Sequence, residues 1–441
     1  MIEVTNPLDA IPTIQYPVDI ARQRLQYLAA QARTIGPVFK QDWPDGGRLV
    51  YLVGPEANKF VMQTARESFS HDLGWTPNIG EILGKGLLNM DPPEHDRHRK
   101  LMNPAFAIAY MSRYLPVMNR LIGERVRDWL ERDEVDLFVE ARKITFDVAA
   151  ETLVGFRAGP QVDVLRELFY TLLNGDDSQF TSEAEWAQTV LPIRDRLMAQ
   201  LVDLIEARRG IPPDDRSDIL AMMVNARDDD GNGLSVEQIL GHVNILLVAG
   251  HETTTTLSSW LLYLLATHPD ALANVRAELD TLVGREGEIT LESVKAMKQL
   301  GYAVQEAGRM TPPVAMVPRG VIKDVEFGGY LLPAGTFVML VIGAPHWDAA
   351  YFPRPERFEP ERFAPPRDED KRTPYALATF GGGPRICIGV NFARVEITAM
   401  AAEILRRYTL TPIAPDEVQQ IYNGIIGQPE NGIRVRVSER V

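Results

Sequence analysis

Apolar residues recur along most of the chain at the spacing of one helix face, which indicates a mainly helical protein. The amphipathic stretches that predict helices are residues 19–35, 112–131, 137–154, 162–173, 184–209 and 217–226. A much longer helix is predicted from Ser235 to about Thr267. It starts with a capping-box pattern, in which Gln238 follows Ser235 at the required distance, and it ends before Pro269.

Strand patterns are short and few. Alternating apolar residues predict a hairpin of residues 37–40 and 48–53 around a turn at 44–47. Further short strands are predicted near residues 314–317, near residues 325–341 and in the C-terminal tail. No linker rich in glycine, serine or proline and no internal repeat interrupts the 441 residues. We therefore predict a single domain over residues 1–441, mainly α with small β-sheets.

The charge and the N-terminus exclude some classes of partner. A formal net charge of −14 argues against nucleic acid, because binding phosphates requires a basic face. Residues 1–17 are polar and broken by prolines, so they match neither a signal peptide nor a membrane anchor. No later stretch is long and uncharged enough to span a bilayer. These features predict a cytoplasmic protein without a membrane anchor.

Cys387 is the only cysteine of the chain and its surroundings are unusual. A single thiol excludes an intrachain disulfide, a structural zinc site and an iron–sulfur cluster. Most lone cysteines are small core residues. Here, however, glycines at 381–383 let the backbone approach a flat group, and Arg385 adds a permanent charge. The helix that opens at Ile388 and Gly389 favours a thiolate, so the sulfur is expected to be functional.

Residues 380–389 resemble the haem-binding signature Phe-x-x-Gly-x-Arg-x-Cys-x-Gly of the cytochrome P450 superfamily, with every fixed position present. The resemblance implies haem b (iron protoporphyrin IX) as cofactor, with the thiolate of Cys387 as axial ligand of the iron. Further cofactor contacts are implied for Phe380, Arg385, Ile388 and Gly389. The implied fold is the single-domain triangular prism, with the haem between a long central helix and the cysteine loop. A bacterial origin is expected, because the anchored members do not fit.

The long predicted helix contains the sequence Ala-Gly-His-Glu-Thr-Thr-Thr-Thr, starting at Ala249. Glycine and threonine are poor helix formers, so either a packed threonine-rich face or a function explains them. The segment is similar to the superfamily element Ala/Gly-Gly-x-Asp/Glu-Thr-Thr/Ser. This implies haem contacts from Ala249 and Gly250. It also implies that Thr253 donates a hydrogen bond to bound dioxygen and that Glu252 relays protons, whereas His251 is expected to be structural.

Glu306 and Arg309 stand one helical turn apart, and Arg362 follows in the sequence Pro-Glu-Arg-Phe. An isolated pair of this kind contributes only a few tenths of a kcal/mol. Together the residues resemble the Glu-x-x-Arg pair and the downstream arginine of the superfamily. The resemblance implies a buried charge network with a structural role.

Asp91-Pro-Pro-Glu-His predicts the start of another helix, with Asp91 as its cap. His95 and Arg99 would then share one face near the helix N-terminus, which suits an anion but also fits a solvated basic face. In the superfamily, a His-x-x-x-Arg pair binds haem propionates, so the resemblance implies this role for His95 and Arg99. Arg319, in Val-Pro-Arg-Gly, matches another propionate-binding arginine.

The resemblance implies a haem-thiolate monooxygenase that inserts one oxygen atom from O2 into an apolar small molecule. Fatty acids, terpenoids and aromatic or polyketide compounds are the expected substrate classes. The pocket is expected to include the loop after Pro77 and several apolar residues elsewhere: Ile79, Leu83, Leu87, Leu88, Leu246, Ala249, Val314, Ala315, Met316, Ile425 and Ile426. Residues 173–189 are a candidate lid over the substrate entrance.

Electrons are expected to come from NAD(P)H through a ferredoxin, or a flavodoxin, with its reductase, because no redox domain follows Val441. The docking surface would lie beside the cysteine loop, where Arg97, Lys100 and Arg394 are expected to provide positive charge. We expect a monomer. A haem domain cut from a larger fusion would have the same sequence features.

Other functions are compatible with parts of the sequence. A peroxide-driven peroxygenase is disfavoured because such relatives typically lack the Glu252–Thr253 pair. Isomerases or dehydratases of the superfamily find no specific support. A haem-based sensor or carrier usually has a histidine ligand and needs no proton relay. A purely structural helical protein explains neither the thiol nor the threonine row.

Overall fold

The computed structural model describes residues 6–17, 20–44, 46–157, 159–174, 182–211, 218–422 and 426–441. Within these residues the helices are α1 Ile20–Ile35, α2 Pro55–Lys59, α3 Asp72–Leu83, α4 Glu94–Met102, α5 Met111–Val126, α6 Leu137–Ala149, α7 Pro160–Asn174, α8 Glu183–Arg208, α9 Ile219–Asn225, α10 Val236–Thr267, α11 Pro269–Leu282, α12 Leu291–Ala296, α13 Lys298–Met310, α14 Glu369–Arg372 and α15 Val390–Arg407. The strands are β1 Val38–Asp42, β2 Arg48–Val53, β3 Phe69–Ser70, β4 Val135–Asp136, β5 Val317–Val321, β6 Val325–Phe327, β7 Tyr330–Leu332, β8 Phe337–Val341, β9 Tyr408–Pro412, β10 Gln420–Ile421, β11 Gln428–Pro429 and β12 Arg434–Glu439.

The long helix α10 begins and ends where its sequence predicts. The backbone N–H of Ser235 donates to Gln238 Oε1 at 3.0 Å, and the N–H of Gln238 donates to Ser235 Oγ at 3.2 Å. This is the reciprocal capping box that the pattern predicts. The backbone is α-helical through the threonine row, and no helix of the described residues has both the length and the apolar character needed to cross a membrane.

The chain divides into two compact units. The first comprises residues 1–74, 126–141 and 253–441, and it contains the β-strands and the cysteine loop. The second comprises residues 75–125 and 142–252 and is helical in its described part. Helix α10 contributes its N-terminal half to the second unit and its C-terminal half to the first.

A five-stranded sheet with the order β1-β2-β8-β5-β3 organises the core of the first unit. In β2, Val50 and Leu52 face one buried cluster, whereas Leu49, Tyr51 and Val53 face another that also contains α1 residues. Alternation of side chains along a strand produces this division, and apolar residues at every position allow burial on both faces. The predicted hairpin is confirmed, because β1 pairs antiparallel with β2.

Several predicted boundaries are wrong by a few residues. The helix predicted over 112–131 ends at Val126, and the one predicted over 137–154 changes to a wider π-turn at Ala150–Val154. The strand predicted near 314–317 begins only at Val317 and continues to Val321. Such ends depend on tertiary contacts that a local pattern does not contain.

A buried ion network joins α13 to the segment before the cysteine loop. Glu306 accepts hydrogen bonds from Arg309 Nε at 2.8 Å and from Arg362 Nε at 2.8 Å, and these residues are 0% exposed. The structure thus brings together the residues that the motif implies. It adds Glu369, which accepts from Arg362 Nη1 at 2.7 Å and which no sequence motif identifies.

A pair of buried histidines holds α4 against α10 in the second unit. His98 Nδ1 lies 2.9 Å from His242 Nε2, and both side chains are 0% exposed. The outer nitrogens, His98 Nε2 and His242 Nδ1, have no hydrogen-bond partner in the described part of the chain. Burial lowers the pKa of both rings, that of His242 to about 3 with a contribution from the neighbouring histidines His98 and His95.

We predict that Arg362→Met lowers the free energy of unfolding by about 3–5 kcal/mol, because Glu306 and Glu369 each lose one of their two arginine partners in a buried network. Urea unfolding followed by circular dichroism measures the change. Arg367→Met is the matched control: Arg367 also binds Glu369, but a third of its side chain is exposed. Its loss should cost at most about 1 kcal/mol. Equal effects of the two substitutions would contradict the prediction.

A second prediction concerns acid stability. The pKa of His242 is lower in the folded protein than in the unfolded chain, so unfolding takes up a proton as the pH falls below about 6.5. The stability of the protein should therefore decrease from pH 6.5 towards pH 3. In His242→Gln this loss should be smaller by about 2–3 kcal/mol between pH 7.5 and pH 4.5. Urea unfolding at both pH values tests this, and identical losses in the two proteins would refute it.

Candidate functional site

The cysteine loop is fixed by glycines and by backbone hydrogen bonds. Cys387 N–H donates to the carbonyl of Phe380 at 2.9 Å, which closes the loop. Gly381 and Gly383 adopt φ values of 71° and 63°, a region that favours glycine. A Cβ on Gly383 would also lie 2.5 Å from the carbonyl oxygen of Met62. The loop itself therefore requires glycine at Gly383.

The sulfur of Cys387 is presented to the surface of the first unit. The residue is exposed, although free cysteines are usually buried, and its neighbour Ile386 is 42% exposed. Gly389 is the N-cap of α15, and a Cβ there would lie 3.9 Å from Sγ. The amides at the start of this helix favour negative charge on the sulfur. An exposed cysteine at a helix N-terminus fits the axial ligand of a haem.

The middle of α10 is buried except for one open stripe. Between His242 and Leu265, the residues that are not fully buried are Leu246, Val248, Ala249, Gly250 and Thr253. All but Val248 follow the spacing of one helix face. The nearest atom to a Cβ on Gly250 would be Leu153 Cδ1, at 3.5 Å. The small side chains leave the backbone accessible to a flat group, which fits the implied haem contacts.

Glu252 is buried beside the open stripe and paired with two cationic groups. Its Oε1 accepts from Arg142 Nη2 at 2.7 Å and lies 3.0 Å from His251 Nε2. Burial alone would raise the pKa of this carboxyl, but the charges and hydrogen bonds of His251 and Arg142 lower it below its ordinary value. Glu252 is therefore held as a carboxylate at neutral pH.

His251 has acceptor oxygens at both ring nitrogens. Nδ1 lies 2.6 Å from the carbonyl oxygen of Leu247, so it must donate its proton there. The other ring nitrogen, Nε2, faces the Glu252 carboxylate. Phe146 packs edge-on against the ring at a centroid distance of 5.2 Å. The expectation that His251 is structural stays a prediction, and the ring contacts Glu252 Oε1 at 3.0 Å.

Arg142 and His251 belong to the site but are not identified as functional by the sequence. Arg142 lies on α6, far from Glu252 along the chain, and its guanidinium also stacks over Tyr170 at 4.5 Å. No spacing rule relates residues so far apart. The i and i+1 positions of His251 and Glu252 point in different directions on an ideal helix, so their contact through the side-chain tips is equally hard to predict.

The implied propionate ligands lie on two elements. His95 is 1% exposed on α4, and its Nδ1 lies 2.8 Å from Asp96 Oδ1, while Arg99 follows one turn later and is half-buried. Arg319 lies on β5, is 6% exposed and donates from Nη1 to the Pro318 carbonyl at 2.6 Å. All are cations or donors suited to carboxylates.

The predicted start of α4 is wrong. The helix begins at Glu94, with Pro93 in the cap position and no side-chain cap, and not at an Asp91 cap. With Asp91 as cap, Pro93 would stand at the second helical position, so one of the two N–H groups that a cap side chain usually binds is missing. His95 is still in the first turn, where the helix N-terminus favours an anion.

The pocket residues are only partly where the sequence puts them. Ile79 and Leu83 lie on α3, which continues past Pro77, so the loop predicted there is wrong; a proline fixes a φ that a helix tolerates. Leu83 and Ala315 are buried, whereas Ile79, Leu87, Leu88, Leu246, Val314, Met316 and Ile426 are half-buried. Ile425 and residues 175–181 of the candidate lid lie outside the described residues. The pocket itself stays a prediction.

The cations expected on the docking surface contact other residues of the chain. Arg97 Nε donates to Asp228 at 2.6 Å, and Lys100 Nζ donates to Asp229 at 2.5 Å. The guanidinium of Arg394 stacks over the Phe380 ring at 5.4 Å. The aspartates of the turn before α10 therefore compensate two of the charges that were expected to attract a partner, and the docking surface itself stays a prediction.

The chain is similar to known proteins over nearly its whole length. The Cytochrome P450 family model matches residues 6–437. A relative from Synechocystis sp., named as cytochrome P450 120, is 31% identical over 407 residues, which cover 91% of this chain and 89% of the relative. A sterol 14alpha-demethylase from Mycolicibacterium vanbaalenii is 28% identical over 403 residues, 89% of each chain.

A solved structure gives the same result for the fold. The structure described as "Retinoic acid bound cyanobacterial CYP120A1" superposes with a TM-score of 0.84 and 29% identity, over 98% of this chain and 99% of that one. The mainly helical fold with small sheets is thereby confirmed. The family uses haem iron and O2, and it has bacterial members among the relatives found. The chain belongs to the cytochrome P450 family and is a monooxygenase.

Proposed function

We propose that residues 1–441 form one haem-thiolate monooxygenase domain that inserts an oxygen atom into an apolar isoprenoid. The observation that carries the proposal is the exposed Cys387 at the N-terminus of α15, in a loop where Gly382 and Gly383 leave no room for a Cβ. A structural cysteine needs neither exposure nor this loop. The family match over residues 6–437 supports a single functional domain.

Haem b would be bound by residues of the cysteine loop and by cationic side chains. Cys387 would ligate the iron, and Phe380, Ile388 and Gly389 would surround the sulfur. The propionates would be bound by His95, Arg99, Arg319 and Arg385, since each offers donors to a carboxylate. When bound, the haem supplies the oxidising chemistry with O2, and the protein decides which substrate bond is near it.

The residues of α10 would supply the protons that the reaction consumes. Thr253 is half-exposed on the open stripe and can donate its hydroxyl hydrogen bond towards that face. Glu252 Oε1 lies 3.0 Å from His251 Nε2, and Arg142 holds the carboxylate in position. We infer that this pair restores the proton that Thr253 passes on.

The substrate class is the finer part of the proposal. One similar structure contains retinoic acid and one relative is a sterol 14alpha-demethylase, and both names refer to isoprenoids that are largely apolar. The candidate pocket residues Leu83, Leu246, Val314 and Ile426 are apolar as well. Of the fatty acid, terpenoid and aromatic or polyketide classes, the terpenoid class therefore has the most support.

Electrons would come from NAD(P)H through a ferredoxin, or a flavodoxin, and its reductase. The pairing of Arg97 and Lys100 with aspartates means that steering by these charges is not part of the proposal. The presence of the Glu252–Thr253 pair favours this route over a peroxide-driven reaction. The monomeric state and the cytoplasmic location stay predictions from the sequence.

We predict that the haem-loaded protein, reduced with dithionite and exposed to carbon monoxide, shows the strongly red-shifted Soret band of thiolate ligation. In Cys387→Ser the band should be absent, because an alcohol oxygen does not replace a thiolate ligand. The matched control Ile386→Ala changes the exposed neighbour and should keep the band. A wild-type protein that binds haem without this band would overturn the proposal.

We also predict that Thr253→Ala raises the ratio of hydrogen peroxide to oxidised product by about tenfold or more, since proton delivery in catalysis contributes at least that much. The measurement compares peroxide formed with NADPH consumed during turnover. Thr267→Ala is the matched control, because the Thr267 hydroxyl contacts the Tyr263 carbonyl at 3.0 Å and the adjacent His268 ring at 3.1 Å, at the C-terminal end of α10. An unchanged ratio in Thr253→Ala would contradict the relay.

A further inference from the structure

Thr256 ties the C-terminal half of α10 to a distant turn of the first unit. Its hydroxyl donates to the carbonyl oxygen of Gly427 at 2.8 Å, and the Thr256 side chain is 0% exposed. The N–H of Gly427 donates in turn to the Pro313 carbonyl at 2.8 Å. Beside these bonds, Ile426 and Val314 form an antiparallel bridge. We call this set, Thr256, Gly427, Pro313, Ile426 and Val314, the Gly427 bracket.

Gly427 has no space for a side chain in the bracket. A Cβ there would lie 2.1 Å from Gln420 Nε2 and 2.6 Å from Tyr422 Cε1. Tyr422 is buried as well, and its hydroxyl donates to the Pro312 carbonyl at 2.8 Å. The hydroxyls of Thr256 and Tyr422 thus bind backbone carbonyls of the two segments that the bracket joins, at Gly427 and Pro312.

The direction of the Thr256 hydroxyl is unusual for a threonine inside a helix. Such hydroxyls ordinarily return to a carbonyl of the preceding turn, as Thr267 does with Tyr263 at 3.0 Å. Thr256 instead binds a carbonyl 171 residues later in the chain. Because the bond is fully buried, losing it would deprive the Gly427 oxygen of its Thr256 donor at a place without solvent.

The bracket connects the oxygen-activating helix with two segments of the candidate pocket. Thr256 lies one turn after Thr253 on α10, while Val314 and Ile426 are both expected pocket residues. We propose that Thr256 is a positioning residue for specificity: its bond to Gly427 fixes Ile426 relative to Thr253 and so determines which substrate carbon is oxidised. This inference rests on the proposed monooxygenase function.

Thr256→Val tests the proposal, since valine has nearly the same shape and branching but no hydroxyl. Hydrogen exchange of the Gly427 amide, followed by mass spectrometry on the full-length protein, reports on the bracket without requiring turnover. We expect exchange about tenfold faster in Thr256→Val, wild-type exchange in Thr256→Ser, and no change in the control Thr267→Val. Wild-type exchange in Thr256→Val would overturn the bracket. If Thr256→Val does not fold, the exchange of the Gly427 amide is compared between Thr256→Ser and Thr256→Ala. Faster exchange in Thr256→Ala alone supports the bracket, and equal exchange overturns it.

The second readout is the distribution of oxidised products with retinoic acid as probe, using ferredoxin, its reductase and NADPH. We expect the ratio of positional isomers to change at least threefold in Thr256→Val and to return in Thr256→Ser, with the carbon monoxide band unchanged. Faster exchange with an unchanged ratio would refute the specificity role. No oxidation by the wild-type protein, or no carbon monoxide band, would count against the proposed function, whereas the exchange result would still test the bracket.

Discussion

The structure of the first unit depends on one buried carboxylate with two arginines. Glu306 carries a single negative charge and contacts Arg309 and Arg362, and Glu369 supplies the second negative charge through Arg362. Charges at 0% exposure are costly unless every donor finds an acceptor. The arginines therefore also donate to backbone carbonyls, including that of Arg357. This forces the irregular segment between α13 and the cysteine loop into one conformation.

A buried neutral histidine connects the ion network to the cysteine loop. His346 Nδ1 donates to the Arg309 carbonyl at 3.1 Å, so its Nε2 is free of a proton and accepts from Ala378 N–H at 3.1 Å. Burial and the charge of Arg309 lower the pKa of His346 to about 3, which keeps this arrangement at neutral pH. The Thr379 hydroxyl donates to the Gly308 carbonyl at 3.2 Å. Both anchored residues come directly before Phe380, so the network fixes where the Cys387 loop begins.

What the sequence predicts well is what lies in one short segment. The loop around Cys387 and the capping box of α10 depend on nearby residues, and both have the predicted form. The sequence does not predict Arg142, His98 or His242, because their partners are far along the chain and no local period relates them. The ion pair of Arg97 is not predicted for the same reason. Its partner Asp228 is distant in the sequence and comes close only in the folded chain.

The threonine row of α10 shows why a helix can keep residues that propensity disfavours. Each β-branched residue costs a few tenths of a kcal/mol relative to alanine, but a 32-residue helix buried on most sides is stabilised by packing. Residues with other roles can therefore occur within the helix. Gly250 leaves the backbone accessible, Glu252 carries a paired charge, and Thr256 binds a carbonyl outside the helix. Because valine and threonine have similar helix propensities, an effect of replacing Thr256 by valine cannot come from weakening the helix. It must come from the hydroxyl, which separates the role of one hydrogen bond from the stability of the element that carries it.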